Sequence, residues 1–327
     1  MKYGIAIGAL LLAVTALYLK TGDPAPSPAG NAWAFLPTPA TPIDNPGESV
    51  ADYLSCLRAA DIMMITGHRG GPVPGYPENA LETFANTLAY GPMLLEVDVR
   101  MTKDGVFILM HDDILDRTTT GFGYVEDATL GEIKTLRLVD DEGTVTAFRV
   151  PTLAEALEWA KGRTILQLDV KRGAPIDEVS AFVSQADAQG YAAIIAYTAE
   201  DAIKAAAVDP QLTVSAQIMD MQTLDVLVAA GLPKEQLMAW TGLETEREAL
   251  WRALNAQGIS AAWGSLWYLD RQVAASGDAA PFVRLAEGAL DVLSSDLHFM
   301  AFDSAETVQD TSQAVVGCNA GRQSRAP

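Results

Sequence analysis

The chain has 327 residues, of which 42 are Asp or Glu and 22 are Lys or Arg, so its formal net charge is −20. An acidic surface of this size repels nucleic-acid phosphates, whose binding depends on Lys and Arg, and this argues against a DNA or RNA partner. Apolar residues make up 49% of the chain, which excludes an intrinsically disordered protein and allows one large core. The composition is typical of a soluble enzyme, in which a phosphate substrate would need locally placed cations, most simply a metal ion.

The first 20 residues have the layout of a secretory signal, because Lys2 precedes an apolar run over residues 3–19. With about 1.5 Å of rise per residue, a helix over this run would span roughly 25 Å, a little less than the ~30 Å hydrocarbon core of a bilayer. No small-x-small cleavage site stands out, so a cleaved signal peptide and a retained membrane anchor both fit residues 1–20. We expect an exported protein that is periplasmic, anchored in the membrane facing the periplasm, or secreted.

Proline and cysteine positions predict the domain boundaries. Seven of the 17 prolines fall between Pro24 and Pro46, which predicts an extended linker at residues 21–47. The folded domain is predicted at residues 48–310, and a C-terminal tail at residues 311–327. Cys56 and Cys318 fit either a disulfide in an oxidising compartment or two free thiols, and the lack of a Cys/His cluster argues against zinc.

Eight apolar, β-rich runs alternate with amphipathic helical stretches over the domain. Such alternation predicts a parallel sheet, and eight repeats favour a closed (β/α)₈ TIM barrel over an open sheet. The helical stretches include residues 80–90, 153–161, 176–189, 223–230 and 246–257. The eight runs are residues 62–66, 93–99, 164–170, 193–197, 212–216, 237–240, 259–262 and 291–295.

Residues 105–150 interrupt this alternation with a short strand, VFILMHD, and a polar stretch that contains the helical segment TLGEIKTL. We interpret the segment as a small insertion after the second strand, lying over the barrel mouth. Loops at the carboxyl ends of barrel strands carry the chemistry of this fold, so candidate residues are sought there. No GxGxxG or GxxxxGK[ST] pattern follows any strand, and neither a dinucleotide nor a P-loop nucleotide is expected.

The first strand ends in Gly67-His68-Arg69-Gly70-Gly71. Glycines on either side of a histidine and an arginine allow backbone N–H groups and a guanidinium to converge on one anion. The simpler alternative is a histidine that packs in the core with its hydrogen bonds satisfied.

The second strand places Glu96, Asp98 and Arg100 on one face, because side chains alternate along a strand. Two carboxylates that point into a barrel interior are unfavourable unless a cation pairs with them. Arg100 would serve as an ion-pair partner for these carboxylates. We favour a divalent cation as the partner instead, because carboxylate oxygens are its preferred ligands.

Polar residues also end the insertion's strand and the third barrel strand. His111 follows an apolar strand, and its neighbour Asp112 could fix its tautomer, although an exposed loop histidine without a role is the alternative. Asp169 and Lys171 face inward in the third barrel strand, next to the carboxylates of the second. We interpret them as a metal ligand and a phosphate clamp rather than as an isolated salt bridge. His298, after the eighth run, could also border the mouth.

Several spaced motifs together resemble the glycerophosphodiester phosphodiesterase family. They occur in the family's order between about Ile62 and Arg172, and the eighth run, LDVLSSD, is similar to the family's last strand with its terminal aspartate, here Asp296. The resemblance implies a (β/α)₈ barrel with a small insertion after the second strand. The motifs are HRG, PENALETF from Pro77 to Phe84, LEVDV, KDGVFILMHDDILDRTTTG and VPTLAEAL.

This resemblance implies a phosphoric diester hydrolase that cleaves small glycerophosphodiesters to an alcohol and glycerol phosphate. We expect His68 to act as the base and His111 as the acid of the reaction. One divalent cation, Ca²⁺ or Mg²⁺, is implied as the cofactor. The implied metal ligands are Glu96, Asp98 and Asp169, and the implied phosphate-site residues are Arg69, Lys171 and Glu78.

The chain departs from the family pattern at two places. The third carboxylate is usually a glutamate but is Asp169 here, and residues 261–270, AAWGSLWYLD, replace the family's Trp-Thr-Val-Asn pattern, which leaves the substrate alcohol open. One alternative function is a phospholipase-type lyase that forms a cyclic phosphate from a lipid headgroup, with Trp263, Trp267 and Tyr268 touching a bilayer. The other is a non-catalytic module that binds phosphate esters.

Overall fold

In the computed structural model, which describes residues 36–45 and 49–323, eight parallel strands alternate with helices. The strands follow one another in chain order around the sheet, and β1 (Met64–Gly67) pairs with both β2 (Leu94–Met101) and β9 (Val292–Ser295), which closes the barrel. A ninth strand, β3 (Phe107–Leu109), pairs antiparallel with β2. The predicted (β/α)₈ barrel with an insertion after the second barrel strand is therefore confirmed.

Most strands lie within two residues of their predicted positions, because strands covered on both faces read as continuous apolar runs. The remaining strands are β4 (Leu166–Val170), β5 (Ala192–Ala196), β6 (Thr213–Gln217), β7 (Leu237–Trp240) and β8 (Ser260–Gly264). The helices are α1 (Val50–Ala59), α2 (Leu81–Tyr90), α3 (Leu130–Ile133), α4 (Leu153–Ala160), α5 (Ile176–Gln185), α6 (Ala199–Ala206), α7 (Met221–Ala229), α8 (Glu248–Asn255), α9 (Leu269–Ser276), α10 (Ala280–Ala286), α11 (His298–Ala305) and α12 (Thr311–Gln323).

Local chemistry sets the helix ends. Helix α4 begins with a capping box, in which the Thr152 side chain accepts from the Glu155 N–H while Glu155 reaches back to the Thr152 N–H. Helix α5 ends four residues before its predicted end at residue 189, because Asp187 adopts a left-handed conformation (φ 51°) and turns the chain out of the helix.

The insertion folds around its own small apolar cluster and is attached to the barrel through β3. Val99 of β2 pairs with Leu109 of β3, and the Met110 N–H donates to the Asp98 carbonyl at 3.0 Å. These pairings place His111, the next residue, beside the carboxyl end of β2. The buried side chains of the cluster are Ala80, Ile108, Met110, Leu115, Val125, Ile133, Leu138 and Val150.

Both ends of the domain pack more closely than the sequence predicts. Residues 311–323, assigned above to a C-terminal tail, form α12, which a disulfide between Cys56 and Cys318 joins to α1. Within the segment assigned to the linker, Ile43 is buried and its N–H donates to the Arg163 carbonyl. The leader at residues 1–20 and most of the linker lie outside the described residues. No helix within the described part of the chain has the length and apolarity needed to cross a bilayer.

Candidate active site

The loop after β1 turns through one 3₁₀ turn, His68–Gly70, and depends on its glycines. Gly70 and Gly71 have φ values of 84° and 82°, and a Cβ on Gly70 would lie 2.1 Å from the Phe84 ring. Arg69 itself has φ 53°, a strained conformation for a side-chain-bearing residue. The turn brings the Arg69 N–H to 2.7 Å from Glu96 Oε2, which joins this loop to the second strand.

Three carboxylates from β2 and β4 form a buried cluster at the mouth. The strand register pairs Asp98 with Asp169, and Glu96 lies one pleat earlier on the same face. One oxygen of each carboxylate lies within 4.8 Å of the others, and all three side chains are buried. The alternation predicted from the sequence thus agrees with the structure.

Hydrogen bonds fix this cluster but leave part of it unpaired. Asn79 donates to Asp98 Oδ2 at 2.6 Å, and its amide oxygen accepts from the Asp98 N–H. The Lys171 ammonium lies 2.8 Å from Asp98 Oδ1, without hydrogen-bond geometry, and 2.5 Å from Asp169 Oδ2, which also accepts from the Tyr197 hydroxyl. Asp169 Oδ1 is buried and has no hydrogen-bond partner.

The electrostatics of this cluster fit a divalent cation. Burial, together with the negative charges of Asp98 and Asp169, raises the pKa of Glu96 to about 8. Burial also acts to raise the pKa of Asp98, but the Lys171 ammonium outweighs it and holds that pKa below its usual range. When all three carboxylates are ionised, they and the Lys171 ammonium leave two negative charges, which one divalent ion with oxygen ligands would balance.

Two histidines face this cluster, and each is oriented by an aspartate. His68 Nδ1 lies 2.7 Å from Asp296 Oδ1, and His111 Nδ1 lies 2.8 Å from Asp112 Oδ1. An ionised carboxylate only accepts hydrogen bonds, so both Nδ1 atoms carry the proton and each Nε2 is left for proton transfer. His68 Nε2 is 4.0 Å from Glu96 Oε2.

The pKa of His68 reflects opposing influences. Burial lowers it, but the hydrogen bond to Asp296 and the negative charges of Glu96 and Asp296 raise it by more, so the net pKa is above its ordinary value. The pKa of Asp112, the carboxyl partner of His111, is held far below its usual range, mainly by hydrogen bonds from Arg117.

A chain of charged contacts connects Arg69, in the loop after β1, to the insertion. Arg69 donates to Glu78 Oε2 at 2.9 Å, and Arg117 donates to both oxygens of Glu78 at 2.9 Å. Arg117 also donates to Asp112 Oδ2 at 2.6 Å and to Oδ1 at 2.9 Å, and Asp112 holds His111. The five side chains therefore run without a break from the loop after β1 to the histidine of the insertion.

The structure brings the eight predicted site residues together at one end of the barrel. Six of them line one cavity of about 560 Å³, while Asp98 is buried beside it and Glu78 reaches it through Arg69. Arg100 does not pair with the carboxylates but donates to the His111 carbonyl at 2.9 and 2.7 Å. The six lining residues are His68, Arg69, Glu96, His111, Asp169 and Lys171.

Sequence reasoning missed three residues of the site and considered one that lies outside it. Asn79 and Arg117 fall inside the PENALETF and HDDILDRTTTG motifs, and Tyr197 is the last residue of a predicted strand, so position along a motif or strand could have suggested all three. His298 is buried against Gly71 and the Phe299 ring and does not line the cavity.

Comparisons with known proteins agree with this site. Residues 68–172 match the sequence model of the Glycerophosphoryl diester phosphodiesterase family. The chain is 31% identical to a glycerophosphoryl diester phosphodiesterase from Parabacteroides distasonis of known crystal structure, with a TM-score of 0.76, over 84% of this chain and 96% of that one. This chain belongs to the glycerophosphodiester phosphodiesterase family. This confirms the family that the sequence motifs predicted.

Curated relatives match this chain over a shorter length. A glycerophosphodiester phosphodiesterase of Caldanaerobacter subterraneus is 38% identical over 112 residues, which is 34% of this chain and 46% of that protein. A glycerophosphodiester phosphodiesterase of Bacillus subtilis is 36% identical over 116 residues, which is 31% of this chain and 38% of that protein. The chain thus matches less than half the length of these curated relatives.

Proposed function

We propose that this protein hydrolyses glycerophosphodiesters to an alcohol and glycerol phosphate, using His68 and His111 as an acid–base pair and one divalent cation. The observation that carries the proposal is the shared cavity. Two imidazoles, each oriented by an aspartate, line it together with buried carboxylates and with the cationic side chains of Arg69 and Lys171.

The unpaired oxygen of Asp169 and the surplus negative charge of the cluster support Glu96, Asp98 and Asp169 as the metal ligands. A divalent cation there would stabilise the negative charge that develops on the phosphate oxygens. Both Mg²⁺ and Ca²⁺ take carboxylate ligands, so either ion suits the donor set.

In the proposed mechanism, the protein's cations hold the phosphate and its histidines move the protons. Arg69 and Lys171 face the cavity and attract the non-bridging oxygens of the diester. Nε2 of His68 takes a proton from the attacking oxygen, and Nε2 of His111 protonates the departing alkoxide. Part of what raises the His68 pKa is the charge of Glu96, which a cation on that carboxylate would offset, so that His68 could act as a base near neutral pH.

Asp296 and Asp112 keep the two histidines in the tautomer that leaves Nε2 free, and Arg117 keeps Asp112 in place. Glu78, which bonds both Arg69 and Arg117, positions the phosphate-binding guanidinium. A phosphodiesterase of Oleispira antarctica, which shares the fold at 20% identity, is known in complex with the product sn-glycerol-3-phosphate, a molecule of the class proposed here as product.

Phosphorus NMR of a reaction mixture tests this proposal. With a glycerophosphodiester and Mg²⁺ or Ca²⁺, we expect the diester signal to be replaced by that of a phosphomonoester, and excess EDTA to stop the reaction until metal is restored. His111→Ala should be slower by about 10²–10⁴-fold, since it removes one proton-transfer group. Asp113→Ala, which changes an exposed neighbour, is the matched control. A persistent cyclic phosphate would instead indicate the lyase, and undiminished turnover in EDTA would remove the metal.

We also propose that the protein is exported, either with residues 1–20 removed or with this segment retained as an anchor. The apolar run after Lys2 and the Cys56–Cys318 disulfide, which persists in an oxidising compartment, support export. Fractionation of cells and N-terminal sequencing of the mature chain test this, and an intact chain in the cytoplasmic fraction would contradict it.

A further inference from the structure

The cavity that holds the two histidines continues into a second region with a different chemistry. Its charged end lies at the strand ends of β1, β2 and β4, whereas its other end lies at the loops after β6, β7 and β8. Apolar and aromatic side chains line this other end together with polar and charged ones, and they include Met219, Trp240, Leu243, Leu266 and Trp267. No step of the proposed hydrolysis uses them.

The first aromatic ring of this region is fixed by a glycine in the next strand. Trp240 ends β7, and a Cβ on Gly264 of β8 would lie 2.8 Å from Cη2 of its ring and 2.5 Å from Cδ2 of Leu243. Only a glycine therefore allows the indole and the leucine to lie against the end of β8. Trp240 and Gly264 are the last residues of two neighbouring barrel strands.

The second ring, that of Trp267, is held in a strained turn. Trp267 has φ 64°, and the Tyr268 N–H donates to the Leu266 carbonyl across it at 2.8 Å. A γ-turn whose central residue has a positive φ is rare and strained. Glycine would adopt this conformation easily, but a tryptophan does so at a cost in free energy. Trp267 is nevertheless 49% exposed and lines the cavity.

The residues beside this turn explain how the strain is maintained. The Asp270 N–H donates to the Ser265 carbonyl at 3.0 Å, and Asp270 Oδ2 accepts from the Asp296 N–H at 2.7 Å. Asp270 Oδ1 accepts from the Ser295 hydroxyl at 2.9 Å. Asp270 thus joins this turn through its N–H and positions Asp296, the partner of His68, through its carboxylate. Strain kept so close to His68 suggests a binding role for Trp267.

One carboxylate belongs to the same wall. Glu244 lines the cavity, and its Oε1 accepts from the Tyr268 hydroxyl at 2.5 Å, so a phenol rather than a cation holds it. Arg247 also lines this region, but its Nη1 donates to the Met219 carbonyl at 3.5 Å, so its guanidinium is directed to the loop after β6.

We infer that Trp240, Glu244 and Trp267 form an alcohol subsite, which binds a substrate alcohol that carries a quaternary ammonium group. Indole faces attract such cations, and a nearby carboxylate adds a Coulombic attraction that an uncharged alcohol does not gain. The subsite rests on the proposed function, and it specifies the preferred substrate as a choline-type glycerophosphodiester, whose phosphate lies at the charged end of the cavity.

The test compares kcat/KM for two diesters that differ in their alcohol, glycerophosphocholine and glycerophosphoglycerol. We expect the wild-type protein to prefer the choline diester, and Trp267→Ala and Glu244→Gln each to lower that preference by roughly 3- to 30-fold, the range of one cation–π or charge contact. Trp267→Phe, which retains a ring, should keep part of the preference. Phe122→Ala, which removes an 85% exposed ring that does not line the cavity, is the control and should leave the preference unchanged.

A wild-type protein without the preference, or variants that keep it in full, would overturn the alcohol subsite while leaving the hydrolysis intact. Should neither diester be cleaved with added Mg²⁺ or Ca²⁺, the proposed function itself fails. In that case, calorimetric titration of each diester into wild type and the same variants measures binding without turnover and tests the alcohol subsite. Tighter binding of the choline diester that is lost in Glu244→Gln supports it, and equal binding of both diesters overturns it.

Discussion

The two ends of the barrel both bury carboxylates but differ in how they pair them. At the amino-terminal end, Asp291 precedes β9 and its Oδ2 accepts from the Ala261 N–H at 2.7 Å, while the Gln236 amide before β7 donates to three backbone carbonyls. At the carboxyl-terminal end, Glu96, Asp98 and Asp169 face one another, and Asp169 Oδ1 has no partner.

This difference separates stability from function within one fold. Polar groups at the amino-terminal end are satisfied by the protein's own backbone and so specify the packing. Charges at the carboxyl-terminal end repel one another until a ligand arrives, which is the arrangement expected where barrel loops carry chemistry. Substitutions at the two ends should therefore have opposite signatures.

The largest effect is expected from Glu96→Gln, which keeps the shape of the side chain but removes one charge from the cluster. Turnover should fall by roughly 10³-fold or more, because several kcal/mol of charge stabilisation depend on the ligand set. In EDTA, the same variant should be at least as stable as wild type, since it relieves the repulsion that raises the Glu96 pKa to about 8. Steady-state kinetics and denaturant unfolding measure both; a large loss of stability in EDTA would show that the cluster is structural.

At the opposite end, where Arg58 of α1 donates to the hydroxyl of Ser260 at the start of β8, removing the disulfide should change stability alone. Cys56→Ala combined with Cys318→Ala frees the two terminal helices, and we expect the free energy of unfolding to fall by about 2–5 kcal/mol. Turnover at temperatures where the variant stays folded should equal that of wild type. A denaturant concentration at the unfolding midpoint as high in the double variant as in wild type would contradict the prediction.

Asp291 gives the amino-terminal end a pH signature. Burial raises the pKa of Asp291 to about 7, so the folded state favours the protonated form. The resulting stability is complete below the unfolded pKa of about 4 and is lost as the pH rises towards 7, by up to about 1.4 kcal/mol per pH unit.

Asp291→Asn removes this titration but keeps an oxygen that accepts from Ala261. The free energy of unfolding of the variant, minus that of wild type, should therefore increase from pH 4 to pH 7. Parallel denaturation curves at several pH values measure it, and a difference independent of pH would show that Asp291 titrates normally in the fold.

The smallest effect is expected from substitution of Arg117, which tests whether residues outside the cavity contribute to turnover. Arg117 contacts Glu78 and Asp112 but does not line the cavity. We expect Arg117→Gln to lower kcat by about 10–100-fold with little change in KM, the order found when the partner of a functional group is lost. The kcat of Arg117→Lys should lie between those of wild type and Arg117→Gln, because an ammonium keeps the charge but cannot bond two carboxylates as a guanidinium does. Arg137→Gln, which loses a contact within the insertion, is the control, and equal effects of Arg117→Gln and Arg137→Gln would reduce Arg117 to a structural role.

Much of the charged end could be predicted from the sequence because strand geometry is simple. A period of two places Glu96 and Asp98 on one face, and adjacent parallel strands bring Asp169 to the level of Asp98. The glycines around His68 and Arg69 likewise mark a turn at a strand end. These inferences need only local pattern and the closure of the barrel.

The rest depends on tertiary contacts that local patterns do not encode. Arg117 reaches Glu78 across 39 residues, and Asn79 bonds Asp98 across 19, so only the folded insertion and loops bring them together. The positive φ of Trp267 is imposed by its surroundings against the residue's own preference. Burial of Ile43 and the helix at residues 311–323 also depend on the barrel surface they cover.

Equilibrium dialysis with Mg²⁺ or Ca²⁺ tests the central claim most directly, because it measures the ion and not turnover. We predict that wild type and Asp291→Asn each retain one divalent ion per chain and that Asp98→Asn retains none. Equal retention by Asp98→Asn and wild type, or no retained ion in wild type, would contradict the assignment of a metal to the buried carboxylates.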